Sequence, residues 1–231
     1  MYLNNSLVDI GQKYGTDKVS HGFCHLYGEK FNQMKESVKN VLEIGVFFGA
    51  SIQMWREYFP NATIHGFDTF EGLQGNGSRF GDADKFYKDW ETLPHLGDRI
   101  QLYKHDQGKE SDLITFVNEM KEKNIEFDLI LDDGSHLMVD QQLTFKHLFE
   151  IVKNGGFYVI EDVHTSTDIG GYDVMNDTSN TTLTMIENYN KDKILKSIYT
   201  DMTETEKYVE NIELYITSSF KSMTCLIKKK S

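Results

Sequence analysis

Two short apolar runs constrain the fold of this chain more than any other feature. Phe127-Asp128-Leu129-Ile130-Leu131 leads into Asp132-Asp133-Gly134-Ser135-His136, and Gly156-Phe157-Tyr158-Val159-Ile160 leads into Glu161-Asp162. Apolar runs of this length, bounded by turn residues and separated by a helical pattern, read as buried strands of a parallel sheet. If the two strands are neighbours, Asp133, Glu161 and Asp162 converge on one point. Carboxylates at two strand ends, with a histidine beside one of them, are the ingredients of a divalent-metal site with its own general base. The expectation is a metal-assisted enzyme rather than a binding module.

The same alternation runs along the rest of the chain. A strand over Asn40–Gly45 precedes a helix over about 50–59, which Pro60 ends. A second strand, Thr63–Phe67, ends on Asp68, and a third, Ile100–Tyr103, runs toward Asp106. Helices are expected over about 110–123, 139–152 and 183–196, with Asn154-Gly155-Gly156 ending the second of them. Two last strands, Ile212–Thr217 and Ser222–Lys228, read as an antiparallel hairpin at the sheet edge. The expected class is therefore α/β, a mostly parallel seven-stranded sheet covered by helices on both faces. Residues 1–36 form an N-terminal helical cap, and residues 69–98 an insertion expected to act as a lid or acceptor loop. All of it reads as one domain over 1–231.

Composition excludes several classes. A net charge of −12 disfavours binding to a phosphate backbone. No run of about 18 apolar residues occurs, which argues against membrane insertion. The first residues lack the basic and apolar regions of a signal peptide, so a cytoplasmic protein with reduced Cys24 and Cys225 is expected.

Glu43-Ile44-Gly45-Val46-Phe47-Phe48-Gly49 joins the first strand to its helix, where glycine permits a sharp turn and close approach of a ligand. The spacing is E-x-G-x-x-x-G, not the G-x-G-x-x-G of the dinucleotide fingerprint. Asp68, at the end of the second strand, stands where a carboxylate accepts hydrogen bonds from ribose hydroxyls. Asp106 and Gln107 occupy the corresponding end of the third, within reach of an adenine amine.

In the order V-L-E-I-G-V-F-F-G-A-S, G-F-D, H-D-Q, L-D-D-G-S-H and I-E-D, these motifs resemble the class I S-adenosylmethionine-dependent methyltransferases. Within that class the chain is similar to the metal-dependent sugar O-methyltransferases of the mycinamicin and rhamnosyl-antibiotic type. Tyr14-Gly15-Thr16-Asp17-Lys18 is similar to the family's Y-G-T-D-K entry segment. The resemblance implies a Rossmann-like class I fold, with Asp133, Glu161 and Asp162 as metal ligands. It makes His136 the catalytic base beside Asp133, and it places Glu43, Gly45, Asp68, Asp106, Gln107 and Asp132 around the cofactor. Tyr14, Thr16 and Asp17 would close over the cofactor's methionine end. His164, Thr165 and Trp90 are acceptor-side candidates, although the aromatic expected soon after Thr165-Ser166 is absent.

A sugar hydroxyl needs a base, a Lewis acid or both to become nucleophilic. Mg²⁺, or Mn²⁺ or Ca²⁺, on carboxylates suits that need, and His136 accepts the proton. The expected acceptor is a sugar hydroxyl on a nucleotide-linked or glycan-precursor sugar, in polysaccharide biosynthesis among other settings. Competing readings are a catechol-like diol, or a phosphate-linked group of a surface polysaccharide met by Lys18, Arg79, Lys85 and Lys88. From other classes come a nicotinamide-dependent oxidoreductase and a non-catalytic cofactor-binding protein. A homo-oligomer, with the aromatic N-terminal segment reaching a neighbour, is a further expectation.

Overall fold

Val41, Leu42 and Ile44 in one strand and Leu129, Ile130 and Leu131 in another are all at most 1% exposed, so both strands are covered on both faces. That is what a parallel sheet between two helical layers requires. The computed structural model describes residues 6–71, 97–167, 180–217 and 221–231. Within these, the strands are β1 (Asn40–Ile44), β2 (Thr63–Asp68), β3 (Ile100–Lys104), β4 (Phe127–Asp132), β5 (Val152–Ile160), β6 (Val209–Ile216) and β7 (Met223–Lys229). They form one sheet in the order β3-β2-β1-β4-β5-β7-β6. The first five pair in parallel, and β7 enters antiparallel between β5 and β6. The mostly parallel sheet with a closing antiparallel pair thus agrees with the pattern of apolar runs.

Period-two alternation divides the sheet's side chains between two cores. Helices α1 (Leu7–Tyr14), α2 (Phe23–Phe31) and α3 (Ala50–Tyr58) cover the face that presents Val41, Ile64, Leu129, Leu131 and Val159. Helices α4 (Glu110–Glu122), α5 (Met138–Leu148) and α6 (Thr182–Asp192) cover Leu42, Ile44, Phe67, Ile130 and Ile160 on the other. A short helix α7 (Thr203–Tyr208), which the periodicity does not predict, leads into β6. Helix α1 starts at a capping box between Ser6 and Asp9 and ends at Gly15, whose left-handed φ of 73° closes the turn. No described helix is long and apolar enough to cross a membrane.

Several boundaries differ from the sequence expectation, β6 among them, which begins at Val209 rather than Ile212. Helix α5 ends at Leu148 rather than Val152, and Val152 already belongs to β5. The buried Lys229 ammonium completes that helix end, donating to the carbonyls of Phe149, Glu150 and Val152 at 3.2, 2.9 and 2.7 Å. Asn154-Gly155-Gly156 therefore lies inside the strand, where Gly155 has φ 77° and the β4–β5 pairing shifts register. Helix α6 stops at Asp192, with Lys193 in the left-handed region, instead of reaching 196. Most of the expected insertion, with Phe86, Tyr87 and Trp90, lies outside the described residues.

Register sets the site. Ile44 pairs with Asp132, and Asp132 pairs with Ile160, so β1, β4 and β5 end abreast. The backbone continues one step further, with Asp133 N–H on the Ile44 carbonyl at 3.0 Å and Glu161 N–H on the Asp132 carbonyl at 2.9 Å. Gly45 turns here with φ 88°, and a Cβ on it would stand 2.1 Å from the Asp133 carbonyl oxygen. Gly45→Ala is therefore expected to lower unfolding free energy by roughly 3 kcal/mol or more, through left-handed strain and a backbone clash. Gly28→Ala is the control, because its Cβ would meet nothing nearer than Leu7 Cβ at 3.7 Å. Urea midpoints of the two variants check this; equal midpoints would contradict it.

Candidate active site

Beyond the ends of β4 and β5 the chain places acidic and imidazole side chains together. Asp133, His136 and Asp162 each offer a ligand atom, all within 4.8 Å of one another. His136 and Asp162 both hold left-handed backbone, with φ 59° and 52°. That conformation is costly for residues other than glycine and collects at functional sites. His136 Nε2 lies 3.6 Å from Asp162 Oδ2, while His21 Nδ1 and His164 Nδ1 each lie 3.6 Å from Asp162 Oδ1. Three imidazoles thus surround one carboxylate. The β6–β7 connection holds His21 in place: Thr217 Oγ1 donates to the His21 carbonyl at 2.7 Å, and Ser222 Oγ meets His21 Nδ1 at 3.0 Å.

Glu161, the remaining expected ligand, is turned to a different partner. It is 1% exposed; its Oε2 accepts from the Lys18 ammonium at 2.7 Å and its Oε1 from the Tyr27 hydroxyl at 3.0 Å. The same ammonium lies 2.5 Å from Asp133 Oδ2 and 3.2 Å from Glu43 Oε1. Lys18 is therefore a buried counterion at 1% exposure, not part of an open basic pocket for a phosphorylated acceptor. Burial alone would lower its pKa, but Asp133, Glu161 and Glu43 outweigh it and hold the ammonium well above the ordinary lysine range. One ammonium does not offset three carboxylates, so burial still pushes Glu161 and Glu43 up. Burial also raises Asp162, against the pull of His136.

The residues expected around the cofactor lie along the same edge, many with their polar atoms committed. Glu43 Oε2 accepts from Ser51 Oγ at 2.7 Å and its Oε1 from Trp55 Nε1 at 3.4 Å, which fixes the start of α3. Asp68 Oδ2 accepts from the Val46 and Phe47 amides at 2.8 and 3.3 Å, and its Oδ1 from Phe70 N–H at 2.9 Å. Its carboxylate thus braces the turn after Gly45, and any ribose would share those oxygens. Gln107 Nε2 donates to Asp132 Oδ1 at 2.7 Å, and Gln107 Oε1 accepts from Ser135 N–H at 2.9 Å. Tyr158 adds a bond to Asp132 Oδ2 at 3.2 Å, yet burial still pushes the Asp132 carboxyl up to about 7. Asp106 caps the following turn through Gly108 N–H at 2.9 Å.

In the entry segment, Tyr14 donates to Glu57 Oε2 at 2.6 Å, and Thr16 caps the turn Asp17–Val19. Asp17, Lys18, His21, Phe23, Asp133, Glu161 and Asp162 line one small pocket. On the acceptor side, Thr165 Oγ1 is spent on the Asp162 and His136 carbonyls at 2.8 and 3.3 Å, while Trp90 lies outside the described residues. Sequence reasoning missed Lys18 as a buried counterion, Tyr27 as its helper and His21 as a neighbour of Asp162. Tyr27 and His21 stood in the motif segment 14–27, but no spacing rule connects that segment to strands more than a hundred residues away.

The donor set fits a divalent cation. Among the described residues, Asp162 Oδ1 and His164 Nδ1 are buried with no hydrogen-bond partner, as polar atoms that a ligand would satisfy are. Carboxylate oxygens such as those of Asp133 and Asp162 suit Mg²⁺, Mn²⁺ or Ca²⁺.

Comparison with known proteins places the fold in a family. Residues 42–163 match a family described as a methyltransferase domain. The 8-demethyl-8-(2-methoxy-alpha-L-rhamnosyl)-tetracenomycin-C 3'-O-methyltransferase of Streptomyces olivaceus is 34% identical over 68% of this chain and 37% of its own. The mycinamicin VI 2''-O-methyltransferase of Micromonospora griseorubida is 29% identical over 69% of this chain and 36% of its own. The chain thus spans little more than a third of the length of these curated relatives. Among solved structures, the MycE methyltransferase of the mycinamycin biosynthetic pathway, in complex with Mg and SAH, superposes with a TM-score of 0.71 at 23% identity. That match covers 98% of this chain and 55% of the other. With the family model matching residues 42–163 and the fold superposing on that methyltransferase over nearly the whole chain, the chain belongs to the methyltransferase domain family and carries the class I methyltransferase fold.

Proposed function

We propose that this domain binds S-adenosylmethionine along the carboxyl ends of β1, β2 and β4 and, with a divalent cation, methylates a sugar hydroxyl. The observation that carries the reading is the convergence of Asp133, His136 and Asp162 beside the Gly45 turn. Methyl transfer from a sulfonium is an in-line displacement with an activated donor, so the protein's tasks are alignment and deprotonation of the acceptor. Asp133 and Asp162, with Glu161 behind them, are the residues that would hold the cation. When bound, such a cation supplies a Lewis acid for the acceptor hydroxyl and its neighbour. His136 is the base that takes the acceptor proton, and Asp162 Oδ2, 3.6 Å from its Nε2, would stabilise the imidazolium so formed. Glu43 and Asp68 keep the turn after β1 rigid against the cofactor, and Asp132 with Gln107 fixes the loop that carries His136. That the relatives named above are O-methyltransferases of a rhamnosyl-tetracenomycin and of mycinamicin VI supports a sugar acceptor carried on a larger small molecule.

Calorimetric titration with S-adenosylhomocysteine, with NAD as the control ligand, tests the cofactor reading. Micromolar or tighter binding of S-adenosylhomocysteine alone is expected; binding of NAD alone would replace the reading with an oxidoreductase.

Given an acceptor found by screening glycosylated small molecules with Mg²⁺, His136→Gln is expected to lower kcat by about 10²–10⁴-fold with S-adenosylhomocysteine affinity unchanged. Asp162→Asn is expected to abolish the stimulation by Mg²⁺. Turnover that survives both a chelator and Asp162→Asn would remove the cation from the mechanism.

A further inference from the structure

Lys18 sits 115 residues from Asp133 and 143 from Glu161 in the chain, yet its ammonium is saturated by strand-end carboxylates. Its three hydrogens meet one acceptor from each of three adjacent strand ends. These are Glu43 Oε1 at 3.2 Å, Asp133 Oδ2 at 2.5 Å and Glu161 Oε2 at 2.7 Å. Tyr27, 0% exposed, holds the other Glu161 oxygen at 3.0 Å. Both oxygens of Glu161 are thus fixed by the N-terminal segment, whereas Lys18 takes only one oxygen of Asp133.

Charge points the same way. Asp17, Asp133, Glu161 and Asp162 line one pocket together with Lys18, and Glu43 meets the same ammonium at 3.2 Å. Without Lys18, the buried Glu43 and Glu161 would lose their cationic partner. A lysine at 1% exposure also has no solvent to withdraw into when a cation arrives.

We propose that Lys18 is a positioning residue for the cation site, holding Asp133 and Glu161 in converged geometry and supplying the positive charge that lets the buried carboxylates share one pocket. The inference rests on the metal-assisted reading above and adds a role for a residue of the entry segment. Repulsion between the ammonium and an incoming cation opposes binding. Ordered carboxylates favour it more strongly, because removing one partner of a buried ion cluster leaves uncompensated charge and a rearranged site.

The test is Mn²⁺ binding to the full chain in the presence of S-adenosylhomocysteine, read from the electron paramagnetic resonance signal of free Mn²⁺. Lys18→Met is expected to weaken Mn²⁺ binding ten- to a hundredfold, the range for residues that orient metal ligands, while the circular dichroism spectrum stays native. Tyr27→Phe, which removes a donor but no charge, is expected to weaken it only a few-fold. Equal affinity in Lys18→Met would overturn the proposal, and tighter binding would make the ammonium a competitor of the cation. Absence of Mn²⁺ binding in the unsubstituted protein would overturn the metal reading together with this inference. Retained S-adenosylhomocysteine binding would then show that the methyltransferase reading survives. If Lys18→Met does not fold, Lys18→Met with Glu43→Gln removes the ammonium and one carboxylate together, and its Mn²⁺ affinity decides by the same criteria.

Discussion

A buried ammonium among carboxylates is the interaction on which this site depends. Parallel strands that end abreast bring like charges together, and Glu43, Asp133 and Glu161 stand one residue on either side of the last paired positions of β1, β4 and β5. Left alone, such a group repels itself and is poorly solvated. Lys18 answers both problems at once, and it does so from a turn between α1 and α2. The N-terminal helices are therefore part of the site's wall. Their apolar side chains, Leu7, Ile10, Phe23 and Tyr27, join the same core as Trp55 and Leu129, so the turn is held by packing as well as by charge.

Around that pairing the backbone does most of the positioning. Gly45 is the residue that lets β1 turn against the Asp133 carbonyl without a side chain in the way. Asp68 anchors the amides just beyond it. His136 and Asp162 accept left-handed backbone, and each is tied through its carbonyl to Thr165, whose hydroxyl links the β4 and β5 loops. The two loops that carry the proposed base and the proposed cation ligands are thus tied to one another. This favours a preorganised site over one assembled by induced closure.

The C-terminal strands have a similar indirect role. β7 lies against β5 and gives the sheet its antiparallel edge pair. Thr224 on it donates its hydroxyl to the Ile160 carbonyl at 3.0 Å and meets the Tyr27 hydroxyl at 3.1 Å. Ser222 and Thr217 set His21 against Asp162. Residues near both chain ends therefore meet at the carboxylate cluster, although the motifs themselves occupy the middle of the chain.

Local chemistry made much of this legible beforehand. Apolar runs of five or six residues with acidic ends dictate strands, because only a doubly covered strand buries every side chain of such a run. The positions of Asp133, His136 and Asp162 follow from the strand ends alone. The end of α5 was misplaced because Asn154-Gly155-Gly156 resembles a helix stop. The true stop is made by Lys229, distant in sequence and adjacent in space. Glu161 illustrates the same limit: its type and position were readable, but its partners Lys18 and Tyr27 were not. The sequence by itself determined the sheet, its acidic edge and the residue types available for chemistry, since these depend on periodicity and spacing within a segment. Only the tertiary structure decided which carboxylates are neutralised by an ammonium and which face the imidazoles. That choice depends on contacts such as those of Lys18 with Asp133 and Glu161, 115 and 143 residues apart, which no local pattern encodes.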